Sequence, residues 1–228
     1  MILIQAAPAL AEQVYEAILD EICGGRLTPG THLKQEELAT RLGVSRQPVQ
    51  QAMALLKADG LVEEVGKRGL RVSHLDIDLM HHHYEVRALL DGLAARRCAR
   101  RLAKDEAARK TFEQQARTIL ADGNRAVTES DVPEMIRQDE ALHRLFYEAC
   151  GNPLLPATAE PHWRFLRRVM GDVLRKAEPP RDIWLQHEAI VDATLEGKSK
   201  RAEKLMRKHA NRAADLLATN TDDGTNRS

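Results

Sequence analysis

Residues 35–60 read QEELATRLGVSRQPVQQAMALLKADG, a pair of short helices joined by a tight turn. Leu38, Ala39 and Leu42 give the first helix a small apolar face, and Gly43 ends it. Ser45 is placed to cap the second helix, its hydroxyl accepting an N–H of the first turn. Pro48 falls within that turn, where its missing N–H costs least. Val49, Ala52, Met53, Leu55 and Leu56 form an apolar stripe at helical spacing. The polar face carries Arg46, Gln47, Gln50 and Gln51 near the N-terminal end, where a recognition helix meets base edges. Arg bonds guanine, and Gln adenine, in a bidentate way. The competing reading is two packed helices with a solvated polar face.

The sequence that follows favours DNA. After Asp59-Gly60 come LVEEV, GKRG and LRVS, two β-prone runs around a glycine-bounded basic turn. A helix-turn-helix followed by such a hairpin is a winged helix, and Lys67 and Arg68 at its tip suit phosphate contact.

These residues resemble the DNA-binding domain of the GntR family of bacterial transcription regulators. The likeness rests on Gly25-x-Leu27-x-Pro29-Gly30, Glu37-Leu38-Ala39, Gly43-Val44-Ser45-Arg46-x-Pro48-Val49, Asp59-Gly60-Leu61-Val62 and Arg68-Gly69, and covers residues 9–74. Gln50 and Gln51 depart from it, standing where the family usually has Arg then Glu, so the operator sequence does not carry over. The candidate DNA contacts are Ser45, Arg46, Gln47, Gln50, Gln51, Lys67, Arg68 and Gly69, with Arg46 foremost.

The 228 residues are 43% apolar, only 4% aromatic and formally uncharged overall, a composition that favours helix. Residues 1–75 hold eight Lys and Arg against nine Asp and Glu, but residues 45–75 hold five against three. Positive charge is therefore local to the recognition helix and wing, and useful DNA affinity calls for a homodimer. Cys23, Cys98 and Cys150 form neither a metal spacing nor a disulfide framework. MILIQAAPAL lacks the basic start of a signal peptide, and no apolar run approaches the roughly 20 residues that span a bilayer. The expectation is a bacterial cytoplasmic protein at the nucleoid, with no membrane partner.

Along the chain, residues 1–8 read as a loose arm and 9–23 as the first helix of a winged-helix domain ending at 74. Beyond Ile77 only helical periodicity remains, predicting helices over 77–102, 105–122, 132–150, 155–175, 182–196 and 199–218. Breaks fall at Asp122-Gly123-Asn124, Gly151-Asn152-Pro153, Pro179-Pro180 and Gly197. Asp131 with Glu134 makes a capping box, Asn152 fixes a turn, and residues 219–228 read as a disordered tail. The fold class is mainly α: a winged helix with a β-hairpin wing, then an all-α six-helix bundle over 77–218.

Within the bundle Asp139 and His143 are i and i+4, and Phe146 and Cys150 continue their face inward. His187 shares a stripe with Ile190, Val191 and Thr194. His209 shares one with Ala202, Leu205, Met206 and Ala213. Three imidazoles and a carboxylate suit a divalent ion such as zinc, nickel or manganese, while a single His on an apolar stripe is more often a hydrogen-bonded core residue. The run His81-His82-His83 cannot converge, since neighbours on a helix point about 100° apart, and reads as a solvated face.

Asp139-x-x-x-His143, Gly151-Asn152-Pro153, His187-x-x-Ile190 and Met206-x-x-His209 resemble the FCD ligand domain of the FadR subgroup, in its six-helix, VanR-like branch, over residues 77–217. The resemblance implies that Asp139, His143, His187 and His209 hold a metal ion. It also implies a small carboxylate effector on that metal, its charge met by Arg87 beside Tyr84. Leu142 stands where the family commonly has Phe. The alternative for Arg87 is an i,i+4 pair with Asp91. Three functions follow: a ligand-responsive regulator of operator DNA, in the commoner case a repressor; a regulator with a structural or sensed metal; or a metalloenzyme fused to a winged helix.

Overall fold

The computed structural model describes residues 10–66, 69–175 and 181–222. The chain divides into two compact units, Met1–Leu75 and Asp76–Ser228. The expected arm, the wing-tip residues Lys67 and Arg68, the Pro179-Pro180 break and residues 223–228 lie outside the described residues.

In the first unit α1 (Leu10–Cys23) leads to β1 (His32–Leu33), α2 (Gln35–Leu42), α3 (Arg46–Ala58), β2 (Val62–Val65) and β3 (Gly69–Val72). The three strands form an antiparallel sheet in the order β1-β3-β2. Val14, Ile18 and Ile22 of α1 pack with Val49, Met53 and Leu56 of α3 in one apolar core. Tyr15 ties it to the end of α3 by donating to Asp59 Oδ2 at 2.7 Å. Gly43 takes a left-handed φ of +65° and closes α2, as its type predicts.

Two local expectations fail. Ser45 occupies the N-cap of α3 with extended backbone, but its hydroxyl makes no capping bond. Of the N–H groups a cap would serve, one belongs to Pro48 and does not exist, which removes the third-position bond. Leu55, placed on the apolar stripe, is 42% exposed, because Val49, Ala52, Met53 and Leu56 fill the inward face without it.

The second unit is helical in all its described elements: α4 (Ile77–Leu102), α5 (Glu106–Glu129), α6 (Val132–Ala149), α7 (Leu155–Leu174), α8 (Arg181–Leu195) and α9 (Ser199–Asp222). Asp76, Asp105 and Asp131 cap α4, α5 and α6 by accepting from Leu79, Ala108 and Glu134 N–H at 2.8, 2.9 and 3.0 Å. Only the Asp131 half of the expected capping box forms, since the Glu134 carboxylate is taken by Arg137 and Gln138. Asn152 accepts from Leu154 N–H at 3.2 Å and fixes the turn into α7.

The largest departure is α5, expected to stop at Asp122-Gly123-Asn124 and continuing to Glu129. Gly123 makes room rather than a turn: a Cβ there would lie 1.9 Å from the Trp184 ring. The helix ends instead at Ser130, whose φ of +55° is left-handed. At the other end α9 runs on to Asp222. Among the described residues no helix is long and apolar enough to cross a membrane.

Candidate effector centre and DNA-binding surface

On the first unit, Ser45, Arg46, Gln47, Gln50 and Gln51 are all exposed around the N-terminal half of α3. Pro48, Val49 and Ala52 are buried beneath them. Arg46 is held against the Glu36 carboxylate of α2, both side chains largely open to solvent at 68% and 74%. Gly69 opens β3 opposite Val65, and a Cβ there would lie 2.8 Å from the Val65 carbonyl oxygen. Its place is backbone packing at the base of the wing.

In the second unit four of the residues singled out by spacing come together. Asp139 and His143 from α6, His187 from α8 and His209 from α9 each offer one ligand atom, and these atoms all lie within 4.8 Å of one another. The three imidazoles are at most 2% exposed, and Asp139 keeps 13% of its side chain accessible. His187 Nε2 stands 3.1 Å from Asp139 Oδ1 and 3.1 Å from His209 Nε2. His209 Nδ1 faces Gln186 Oε1 at 3.3 Å.

The protonation pattern suits ligation. Burial, and then the neighbouring imidazoles, hold His209 well below the usual histidine range. Burial also lowers His187, outweighing its Asp139 hydrogen bond. Neutral imidazole is the form that binds metal. Burial alone would raise Asp139, but the His187 hydrogen bond and the Arg87 guanidinium near it outweigh that and keep the carboxylate ionised. His143 Nε2 is buried with no hydrogen-bond partner among the described residues. Two ring nitrogens facing at 3.1 Å, a third without a partner and an ionised carboxylate make a donor set that fits a divalent transition ion.

Arg87 makes the pair expected along its own helix and turns a second nitrogen toward Asp139. Its Nε donates to Asp91 Oδ2 at 3.0 Å, the i,i+4 pair. Its Nη2, 3.8 Å from Asp139 Oδ2, makes no well-formed hydrogen bond among the described residues. The guanidinium lies over the Trp163 ring at 3.8 Å and the Tyr84 ring at 5.4 Å. The Tyr84 hydroxyl is buried beside it, with the Arg87 guanidinium its strongest electrostatic neighbour and no well-formed hydrogen bond among the described residues. Tyr84, Arg87, Asp139 and His209 line one cavity.

Sequence reasoning missed the wall behind these groups. Asp91, 1% exposed, accepts from Arg87 and Tyr147 and stands 3.1 Å from His143 Nδ1. Trp163 Nε1 donates to the Tyr147 hydroxyl at 3.2 Å. The only signal for Asp91 was its spacing from Arg87; none pointed to Tyr147 or Trp163. The histidine run also divides. His81 and His82 are exposed, but His83 is half-buried, stacks on Phe165 at 4.3 Å between ring centroids and meets His162 Nδ1 at 2.9 Å.

Residues 10–72 match the gntR family of bacterial regulatory proteins, and residues 82–212, more than half the chain, match the FCD domain. The chain belongs to the GntR family. This GntR regulator is 31% identical over 219 residues to the probable D-xylose utilization operon transcriptional repressor of Paenarthrobacter nicotinovorans, covering 94% of this chain and 91% of that one. With the HTH-type transcriptional regulator Rv0043c of Mycobacterium tuberculosis it shares 36% identity over 88 residues, 39% of its own length and 36% of the relative's. The Escherichia coli McbR/YncC structure has the same fold, with a TM-score of 0.78 over 92% of this chain and 98% of that one at 16% identity. The gntR family is one of bacterial regulatory proteins, and the relatives are transcriptional regulators rather than enzymes.

Proposed function

We propose that this GntR regulator binds a palindromic operator as a homodimer, and that a small carboxylate held at a divalent metal in the FCD unit sets its affinity for DNA. One observation carries the reading: four convergent ligand atoms stand beside two buried polar groups, Arg87 Nη2 and the Tyr84 hydroxyl, that make no well-formed hydrogen bond among the described residues. Asp139, His143, His187 and His209 would hold zinc, nickel or manganese. When bound, such an ion supplies an electrophilic anchor for a carboxylate oxygen. Arg87 then meets the ligand's charge through Nη2, while Asp91 and Trp163 hold the guanidinium in place. Tyr84, kept protonated by burial, donates from its hydroxyl.

On the DNA side Arg46, Gln47, Gln50 and Gln51 meet base edges and the wing meets phosphate. Control requires that the ligand favour one arrangement of the bundle over another, since equal affinity shifts nothing. Repression is the reading supported by the repressor among the relatives, and its relief by ligand belongs to the proposal.

Elemental analysis of untagged protein tests the centre directly. About one metal ion per wild-type chain, lost in His143→Ala, supports it. No uptake by wild type after incubation with zinc, nickel or manganese overturns the metal anchor and leaves the DNA-binding assignment standing.

A further inference from the structure

We infer that the effector is a monocarboxylate with an apolar chain. The inference rests on the metal-anchored carboxylate reading and narrows it. The polar groups that line the cavity are gathered at one place. Arg87 Nη2 is 3.8 Å from Asp139, Asp139 is 3.1 Å from His187 and His187 is 3.1 Å from His209, with the Tyr84 ring beside Arg87. The remaining described lining is apolar, led by Met135 and Ile136 of α6, Met170 and Leu174 of α7, and Ile183 and Trp184 of α8. Three residues of α9, Ala213, Leu216 and Leu217, complete it without adding a charge.

This distribution discriminates among carboxylates. A polyhydroxylated acid would bury hydroxyls against methionine, leucine and isoleucine, which leave a donor or acceptor unsatisfied. A dicarboxylate needs a second cation away from the first, and Arg87 is the only Arg or Lys among the described lining residues. Arg168, the other fully buried guanidinium, stands 3.9 Å from Asp172 and does not line the cavity. An alkyl or aryl chain leaves no polar group unpaired on entering and gains from every methylene withdrawn from water.

The test is calorimetric titration of the full chain, loaded with zinc, with acetate, butanoate, hexanoate, succinate and D-gluconate. Affinity is expected to rise about fourfold per added methylene until the cavity fills. Succinate and gluconate should bind at least tenfold more weakly than hexanoate. Leu174→Gln, on a partly exposed position near the end of α7, should weaken hexanoate severalfold more than acetate. A flat alkyl series, or tighter binding of succinate or gluconate, overturns the inference and leaves the carboxylate site in place. Zinc uptake with no carboxylate binding at all overturns the inference and the effector reading together.

Discussion

Asp91 Oδ2 lies 3.1 Å from His143 Nδ1 and 3.0 Å from Arg87 Nε, so one buried carboxylate orients both a candidate metal ligand and the candidate effector cation. Carboxylates behind ligating imidazoles fix the ring and its tautomer, and losing one commonly weakens metal binding about 10–100-fold. Asp91→Asn is therefore expected to lower zinc affinity by that order, read by competition with a chelating dye. It should also weaken carboxylate binding by loosening Arg87. Wild-type zinc affinity in the variant would reduce Asp91 to a packing residue.

The Arg46–Glu36 pair makes a two-sided prediction on the DNA unit. A guanidinium already matched by a carboxylate must leave it to reach a base, so Glu36 competes with DNA. Arg46→Ala should weaken operator binding by about 1–3 kcal/mol, the scale of one bidentate base contact. Glu36→Gln should strengthen it. Both are read by fluorescence anisotropy at fixed salt, and weaker binding by Glu36→Gln would show that the carboxylate positions Arg46 instead.

Gly123 sits under Trp184, where a Cβ would come within 1.9 Å of the ring. Gly123→Ala is expected to cost about 1–3 kcal/mol through overpacking, despite alanine's better helix propensity. A Tm lower by about 2–10 °C would show it. If alanine stabilised the chain, propensity would outweigh the contact.

Acid should destabilise the metal-free protein. His187 and His209 are lowered from 6.5 in the folded chain, and His83 is lowered to about 4, in each case first by burial. The unfolded chain takes up protons below about pH 6.5 that the folded chain refuses, so stability falls as pH drops from there and is level above it. Melting at pH 7.5, 6.5 and 5.5 tests this, and an unchanged Tm at pH 5.5 would refute it.

Much of this architecture was legible because periodicity reports which face a residue occupies. Asp139 and His143 at i and i+4, and His187 and His209 on apolar stripes, were all read as inward, and all four meet. Spacing says less about what stands opposite. Asp91 could be paired with Arg87 along its own helix, but its contact with His143 joins residues 52 positions apart in sequence and has no local signature. Gly123 was misread for the same reason: a glycine that ends a helix and one that admits a neighbouring ring look alike until the neighbour is known. Ser45 failed through an arithmetic visible in the sequence, since the proline three residues on removes a donor its hydroxyl would have served.

The contact of Gly123 with Trp184 also bears on how this cavity can change. Trp184 is part of the lining and its ring lies edge-on to His187 at 5.0 Å. A wall that rests on a missing side chain has no smaller residue to mutate toward, so substitution at Gly123 can only crowd it. Enlarging the cavity therefore has to run through the other apolar lining residues, among them the flexible thioethers of Met135 and Met170 on the neighbouring helices. Neither methionine is among the four candidate ligands.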